Sequence, residues 1–288
     1  MIPATSLAPL VNAYSIHAGP PKTIIVPNAS ALAMLQDVTV AGTLLAKQVI
    51  ALNPATGQRV VRPGINGGRY RIEADGDLHF CIGGRSLSPH ITCELQHAAA
   101  WLATFQSAVG SAVSASGWFR CLFEHPGFAS NDDAHIFEIH PVRAVSLAGV
   151  SQIFDVGMPD PGSIHTWLSP HPLNDQDGKI RVAYDRAADT LTFTGMDGQD
   201  ENYVSVPGSL SGVSLGTAGA ASTFTLTSPD IGHPIQVIAL QGTRAAGQLA
   251  ALTASDVTLV ALRNIDLRQA LVGQYVINLL AIDLQPGP

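Results

Sequence analysis

Apolar and polar residues alternate in short runs along most of the chain, and the runs predict strands. VTVAGTLLAKQVI, beginning at Val38, reads as one long strand, with Gly42 where a bent strand needs a bulge or a close backbone approach. The turn-rich stretch 53–68 leads into GRYRIEADGDLHFCIGG, where alternation around Asp75-Gly76 predicts a hairpin, and ITCEL continues the sheet. The period then changes: Ala98, Trp101, Leu102, Phe105 and Val109 recur at three- and four-residue steps, which predicts an amphipathic helix. WFRCLFEH and AHIFEIHPVRAVSL return to the strand pattern. Further on, KIRVAYDRAADTLTFTG predicts a hairpin, and YVSV, STFTLTS, PIQVIAL, VTLVAL and YVINLLAIDL predict strands, with a short helix only in NIDLRQAL.

These elements divide the chain into three parts. Residues 1–35 are rich in Ala, Pro and Ser, and Gly19-Pro20-Pro21 forbids a regular helix there, so an extended N-terminal arm is expected. Residues 36–150 form one barrel domain, and residues 151–288 form a second all-β domain, a barrel or a sandwich. The order of three strands, a helix and two strands, with a glycine-bent first strand, resembles the OB fold, a five-stranded barrel. Within it, DGDLHF, CEL and FEIHPV resemble a pattern in uncharacterised bacterial proteins, where Asp-Gly-Asp-x-His precedes a terminal Glu-x-His-Pro strand. That resemblance implies the domain and a shared polar cluster, and no reaction.

Composition adds an expectation about association. Charged residues make up 13% of the chain and hydrophobic ones 46%, mean hydropathy is +0.23, and the lysines are Lys22, Lys47 and Lys179. A surface so poor in solvated charge points to buried subunit contacts, hence a homo-oligomer. No apolar run is long enough to predict a membrane span. The first residues lack the basic start and continuous apolar core of a signal peptide, which leaves cytoplasmic and exported locations both open. Nine of the 15 Lys/Arg and nine of the 22 Asp/Glu lie in residues 1–150, so the net charge of -7 belongs entirely to residues 151–288. Nucleic acid, a less favoured partner, would therefore need a local basic cluster in the first half. Cys81, Cys93 and Cys121 sit in apolar strand runs and read as buried hydrophobes.

Two groups of residues carry candidate chemistry. Residues two apart share a strand face, so Asp77 pairs with His79 and Glu138 with His140. If their strands are neighbours, these four residues are a candidate set of ligands for a divalent metal ion. Glu94 would add a ligand or a general base for hydrolysis by metal-bound water, and Asp75 would stabilise its turn. The alternative is a hydrogen-bonded network that ties the barrel together. His90, His97, His125 and His135 each read as surface or loop residues. The second group is RVVRPGINGGRYR, where Arg59, Arg62, Arg69 and Arg71 offer forks for phosphates and Tyr70 a stacking face, as single-stranded nucleic acid requires. Three readings follow, in this order: a non-catalytic binding or self-assembling β-protein, a metal-dependent hydrolase, and a single-strand binder. Whether the chain is an enzyme stays open at this point.

Overall fold

The structure, a computed structural model, describes residues 1–17, 19–52, 59–63, 68–73, 76–84, 89–125, 134–153, 179–196, 202–217 and 219–287, with the backbone alone at 48–52, 59–63 and 153. The chain is mainly β. It begins with β1 (Ile2–Pro3), α1 (Ala4–Val11), β2 (Ser15–His17), β3 (Lys22–Pro27) and α2 (Ala29–Ala33). The first barrel uses β4 (Asp37–Leu45), β7 (Leu78–Gly83), β8 (His90–Leu95), β9 (Ala112–His125) and β10 (His135–Leu147). Between β4 and β7 lies the hairpin of β5 (Gln48–Leu52) and β6 (Arg59–Pro63); between β8 and β9 lies α3 (Leu102–Ser107).

Pairings run β4 to β7, β7 to β8, β8 to β10, β10 to β9 and β9 back to β4, which closes the barrel. All are antiparallel except β8 with β10, the third strand with the fifth. The helix of the barrel is shorter than its sequence pattern: a 3-10 turn at Ala99–Trp101 precedes α3, and Val109 lies beyond its end, exposed. Phe105 of α3 is buried against Phe80 of β7, with ring centroids 4.9 Å apart, and so plugs the barrel. Gly42 is needed where β4 passes β7, because a Cβ there would lie 2.5 Å from the Gly83 carbonyl oxygen. The long strand expected from Val38 breaks after Leu45, and β5 is a separate element.

After β11 (Val150–Ile153) come β12 (Arg181–Asp185) and β13 (Thr190–Met196), the expected hairpin. The second barrel is built from β14 (Tyr203–Ser214), β15 (Ser222–Thr227), β16 (Ile235–Ala239), β17 (Asp256–Ile265) and β18 (Ile277–Pro286). It closes in the same order as the first, and again the third and fifth strands, β16 and β18, pair in parallel. Helix α4 (Arg244–Ala251), absent from the sequence reading, stands where α3 stands in the first barrel, capped by the Thr243 side chain. The short helix expected in NIDLRQAL is α5 (Leu267–Ala270), capped by Asp266.

The N-terminal segment is not an extended arm. Ala4, Leu7, Ala8 and Val11 of α1 are buried in the main core, and β1 pairs with β4. Strand β3 lies between β2 and β13, so the β12–β13 hairpin belongs to a sheet with the N-terminal segment and not to the second barrel. The physical reason is the alternation in TIIVP: Ile24 and Val26 need a core, and they find it opposite Leu191 and Phe193. Ser30 fastens the junction by donating from its N–H and Oγ to the Asp189 carboxylate at 2.9 and 2.8 Å. Among the described residues no helix is long and apolar enough to cross a membrane.

Candidate functional site

Both faces of β7 and β8 are buried. Leu78, Phe80 and Ile82 serve the barrel interior, so His79, facing the other way, needs a second covering layer. The second barrel supplies it. The Tyr203 hydroxyl of β14 donates to Asp77 Oδ2 at 2.5 Å, the Arg120 Nε of β9 donates to the Arg263 carbonyl of β17 at 2.6 Å, and the Cys121 N–H donates to Asn264 Oδ1 at 3.0 Å. Trp118 joins Tyr203, Ile238, Val260, Leu262, Leu280 and Ile282 in an apolar cluster beside these contacts.

Strand register brings the chemistry together. His79 of β7 lies directly opposite Glu94 of β8, and Glu138 of β10 lies opposite Arg120 of β9. Because β8 and β10 run parallel with Glu138 beside Thr92, His140 reaches the level of Glu94. His79 Nε2 abuts Glu94 Oε1, and His140 Nδ1 lies 2.6 Å from Glu94 Oε2, 3.1 Å from Glu138 Oε1 and 2.8 Å from Arg120 Nη1. His140 Nε2 is 3.6 Å from Asp77 Oδ2. Arg120 pairs with Glu138, and Glu138 Oε2 lies 3.1 Å from His135 Nε2. Of the candidate set, Asp77 and His140 bring ligand atoms together with Glu94, while His79 and Glu138 adjoin them as partners of Glu94 and His140. Asp75 lies outside the described residues; of its surroundings, the Gly76 N–H bonds to the Glu73 carbonyl and the Glu73 N–H to the Asp77 carbonyl.

Burial sets the electrostatics. The carboxylates of Glu94, Glu124 and Glu138 surround the Arg120 guanidinium, with Asp77 beside His140, and apart from Glu124 these residues are at most 4% exposed. Burial pulls the histidines toward the neutral form, but the carboxylates override it. Glu94 holds His79 up at about 9, Glu124 holds His125 up at about 10, and Glu94 with Glu138 hold His140 well above its ordinary value. Glu94, pushed upward by burial and by Glu138, is carried below the usual carboxylate range by His140 and His79; Glu138, also opposed by burial, is carried well below it by Arg120 and His140.

Five members of this centre, Arg120, Glu124, His125, His135 and Tyr203, are not announced by the sequence pattern. Arg120 stands alone among apolar neighbours in WFRCLFEH, and an isolated charge in a buried strand is a signal of a buried ion pair. His125 and His135 face each other across the β9–β10 ladder, with ring centroids 5.1 Å apart, and His135 is buried, not a loop residue. Tyr203 comes from 126 positions away, and no local pattern announces it. His90, also read as a surface residue, is buried as well.

The arginine group behaves differently. Tyr70 is 2% exposed, with its hydroxyl donating to the Leu45 carbonyl, so it presents no stacking face. Arg69 and Arg71 are exposed, and Arg71 Nη2 is 2.9 Å from the Glu73 carboxylate. Arg59 and Arg62 lie on β6, where the backbone alone is described. A separate cleft of about 650 Å³ opens between the barrels, lined among others by Trp118, Phe119, Gln36, Gln236, Asn264 and Asn278. Its charged groups are already engaged: Asp37 with Arg143 at 3.1 Å, Asp266 with the first turn of α5, and Arg268 with the Ala33 carbonyl at 3.3 Å.

No family model matches this sequence, and no curated protein does. Among solved structures, the single-stranded DNA binding protein from Thermus aquaticus is 13% identical over 88% of this chain and 93% of that one, with a TM-score of 0.23. A structure described as the "Molecular basis for abrogation of activation of pro-inflammatory cytokines" is 11% identical over 86% and 90%, with a TM-score of 0.22. At these scores neither likeness carries an argument about this chain.

Proposed function

We propose that the chain is a non-catalytic binding protein in which two barrels are locked together by a buried ionic centre and take a ligand in the cleft between them. The observation that carries this reading is the burial of the centre. Asp77, Glu94, Arg120 and His140 are 0% exposed beneath the second barrel, and a hydrolytic site there would have no room for a substrate. The cleft, by contrast, offers the amides of Gln36 and Gln236 over a floor that includes the largely buried rings of Trp118 and Phe119. With its charges already paired, it suits a neutral ligand rich in hydrogen-bonding groups, such as an oligosaccharide or a blocked peptide.

The test is thermal denaturation against a panel of neutral oligosaccharides and blocked peptides, with Trp118 emission as a local reporter. A ligand of this class raises the melting temperature of the natural chain, and the Ala220→Phe variant, which narrows the cleft, loses that rise. Turnover of a phosphoester or amide substrate that disappears in His140→Ala would overturn the reading.

Self-association is the companion part of the proposal, supported by exposed Met34, Val213, Leu215 and Val272 on a surface otherwise poor in charge. Light scattering reads it directly: a mass above 30.1 kDa is expected, and a monomer would remove this part alone.

A further inference from the structure

We infer that Glu94, His125 and His135 form a transition-metal site at the rim of the first barrel, of the kind that binds zinc, with His79 holding Glu94 in place. The site is distinct from the cleft, and its success or failure is independent of what the cleft binds.

One donor atom from each of Glu94, His125 and His135 lies within 4.8 Å of the others. The His79 ring stands 6.1 Å from that of His125 and 6.2 Å from that of His135, and those two are 5.1 Å apart. With Zn–N distances of about 2.1 Å, imidazoles sharing one tetrahedral ion have ring centres roughly 5 Å apart. The His125 and His135 rings therefore stand at the spacing an ion imposes, with His79 just outside it.

A second observation is independent of that spacing. Glu94 is fully buried and meets an imidazole nitrogen at each oxygen, His79 Nε2 at Oε1 and His140 Nδ1 at 2.6 Å from Oε2. A buried carboxylate among imidazoles requires a compensating cation, which is either the protons on those rings or a metal ion that replaces them. Mixed imidazole and carboxylate donors suit zinc, or cobalt as its probe. Glu124, with Oε1 3.4 Å from His125 Nε2, and Glu138, with Oε2 3.1 Å from His135 Nε2, supply the carboxylate neighbours that ligating histidines commonly have.

Access differs from that of the sealed group around His140, because the His125 side chain is 27% exposed and gives an ion a way in. The site also staples three strands, since Glu94 is on β8, His125 on β9 and His135 on β10.

The full chain, stripped with chelator and titrated with Co(II) and then Zn(II), tests this. Co(II) is expected to bind at one equivalent with the visible absorption of a tetrahedral nitrogen- and oxygen-ligated ion, and Zn(II) to displace it. His125→Ala and His135→Ala each weaken binding at least tenfold while the circular dichroism stays native, and His233→Ala, at an exposed position, leaves it unchanged. Absence of binding at millimolar Co(II) would overturn the assignment. So would stoichiometric binding that both variants retain, which would place the ion with Asp77, Glu94 and His140.

Discussion

Each member of the buried centre is satisfied only by residues from other strands, so single substitutions there act through what they leave behind. Tyr203→Phe removes the donor to Asp77 Oδ2 and leaves that buried carboxylate with one fewer hydrogen bond. A loss of about 1.5–3 kcal/mol of stability is expected by urea denaturation, as for hydrogen bonds to charged groups. The pH dependence of the metal-free chain follows from the same contacts. Carboxylates held down, Glu94 and Glu138, contribute stability above about 4.5 that is lost as pH falls; imidazoles held up, His79 and His125, contribute stability below about 6.5 that is lost as pH rises through about 9 to 10. Urea unfolding across pH is expected to show greatest stability between about 4.5 and 6.5, and a profile still rising at pH 9 would contradict that assignment. The same-face rule made Asp77, His79, Glu138 and His140 legible in the sequence, and Glu94 with them. The rule also held the signal that Tyr70 lies opposite Arg69 and Arg71, since alternation sends it to the other face. His125 and His135 were not legible because their meeting depends on how β9 pairs with β10.

At the level of elements, local pattern read strand type well and connection poorly. Alternation located β4, β7 to β10 and β14 to β18, because each has a face to bury. The helices were less visible: α1, α2 and α4 are short and alanine-rich, so their periodicity is weak. Proline and glycine in the first 35 residues masked a segment that owes its order to partners elsewhere, β4 and β13. Deleting residues 1–27 is therefore expected to expose the edge of β13 and give an aggregating or unfolded chain. A folded chain of unchanged melting temperature would contradict the pairing. Gly42→Ala tests the crossing of β4 and β7. Its added methyl would meet the Gly83 carbonyl, and about 1–3 kcal/mol of destabilisation is expected by chemical denaturation.

For the whole molecule, the tandem repetition of one barrel topology was hidden from sequence, because OB-type barrels share strand order without sharing residues. What joins the two copies is a polar centre in which Arg120 is the fixed cation, bonded at once to Glu138 in its own barrel and to the Arg263 carbonyl in the other. Removing it leaves buried carboxylates without compensation, a loss of about 3–5 kcal/mol concentrated at the junction. The measurement that tests this most directly is differential scanning calorimetry of the natural chain and of Arg120→Leu. The natural chain is expected to unfold in one cooperative transition, and the variant in two, as the barrels melt separately. A single transition at an unchanged temperature in Arg120→Leu would contradict the claim that the buried centre locks the barrels together.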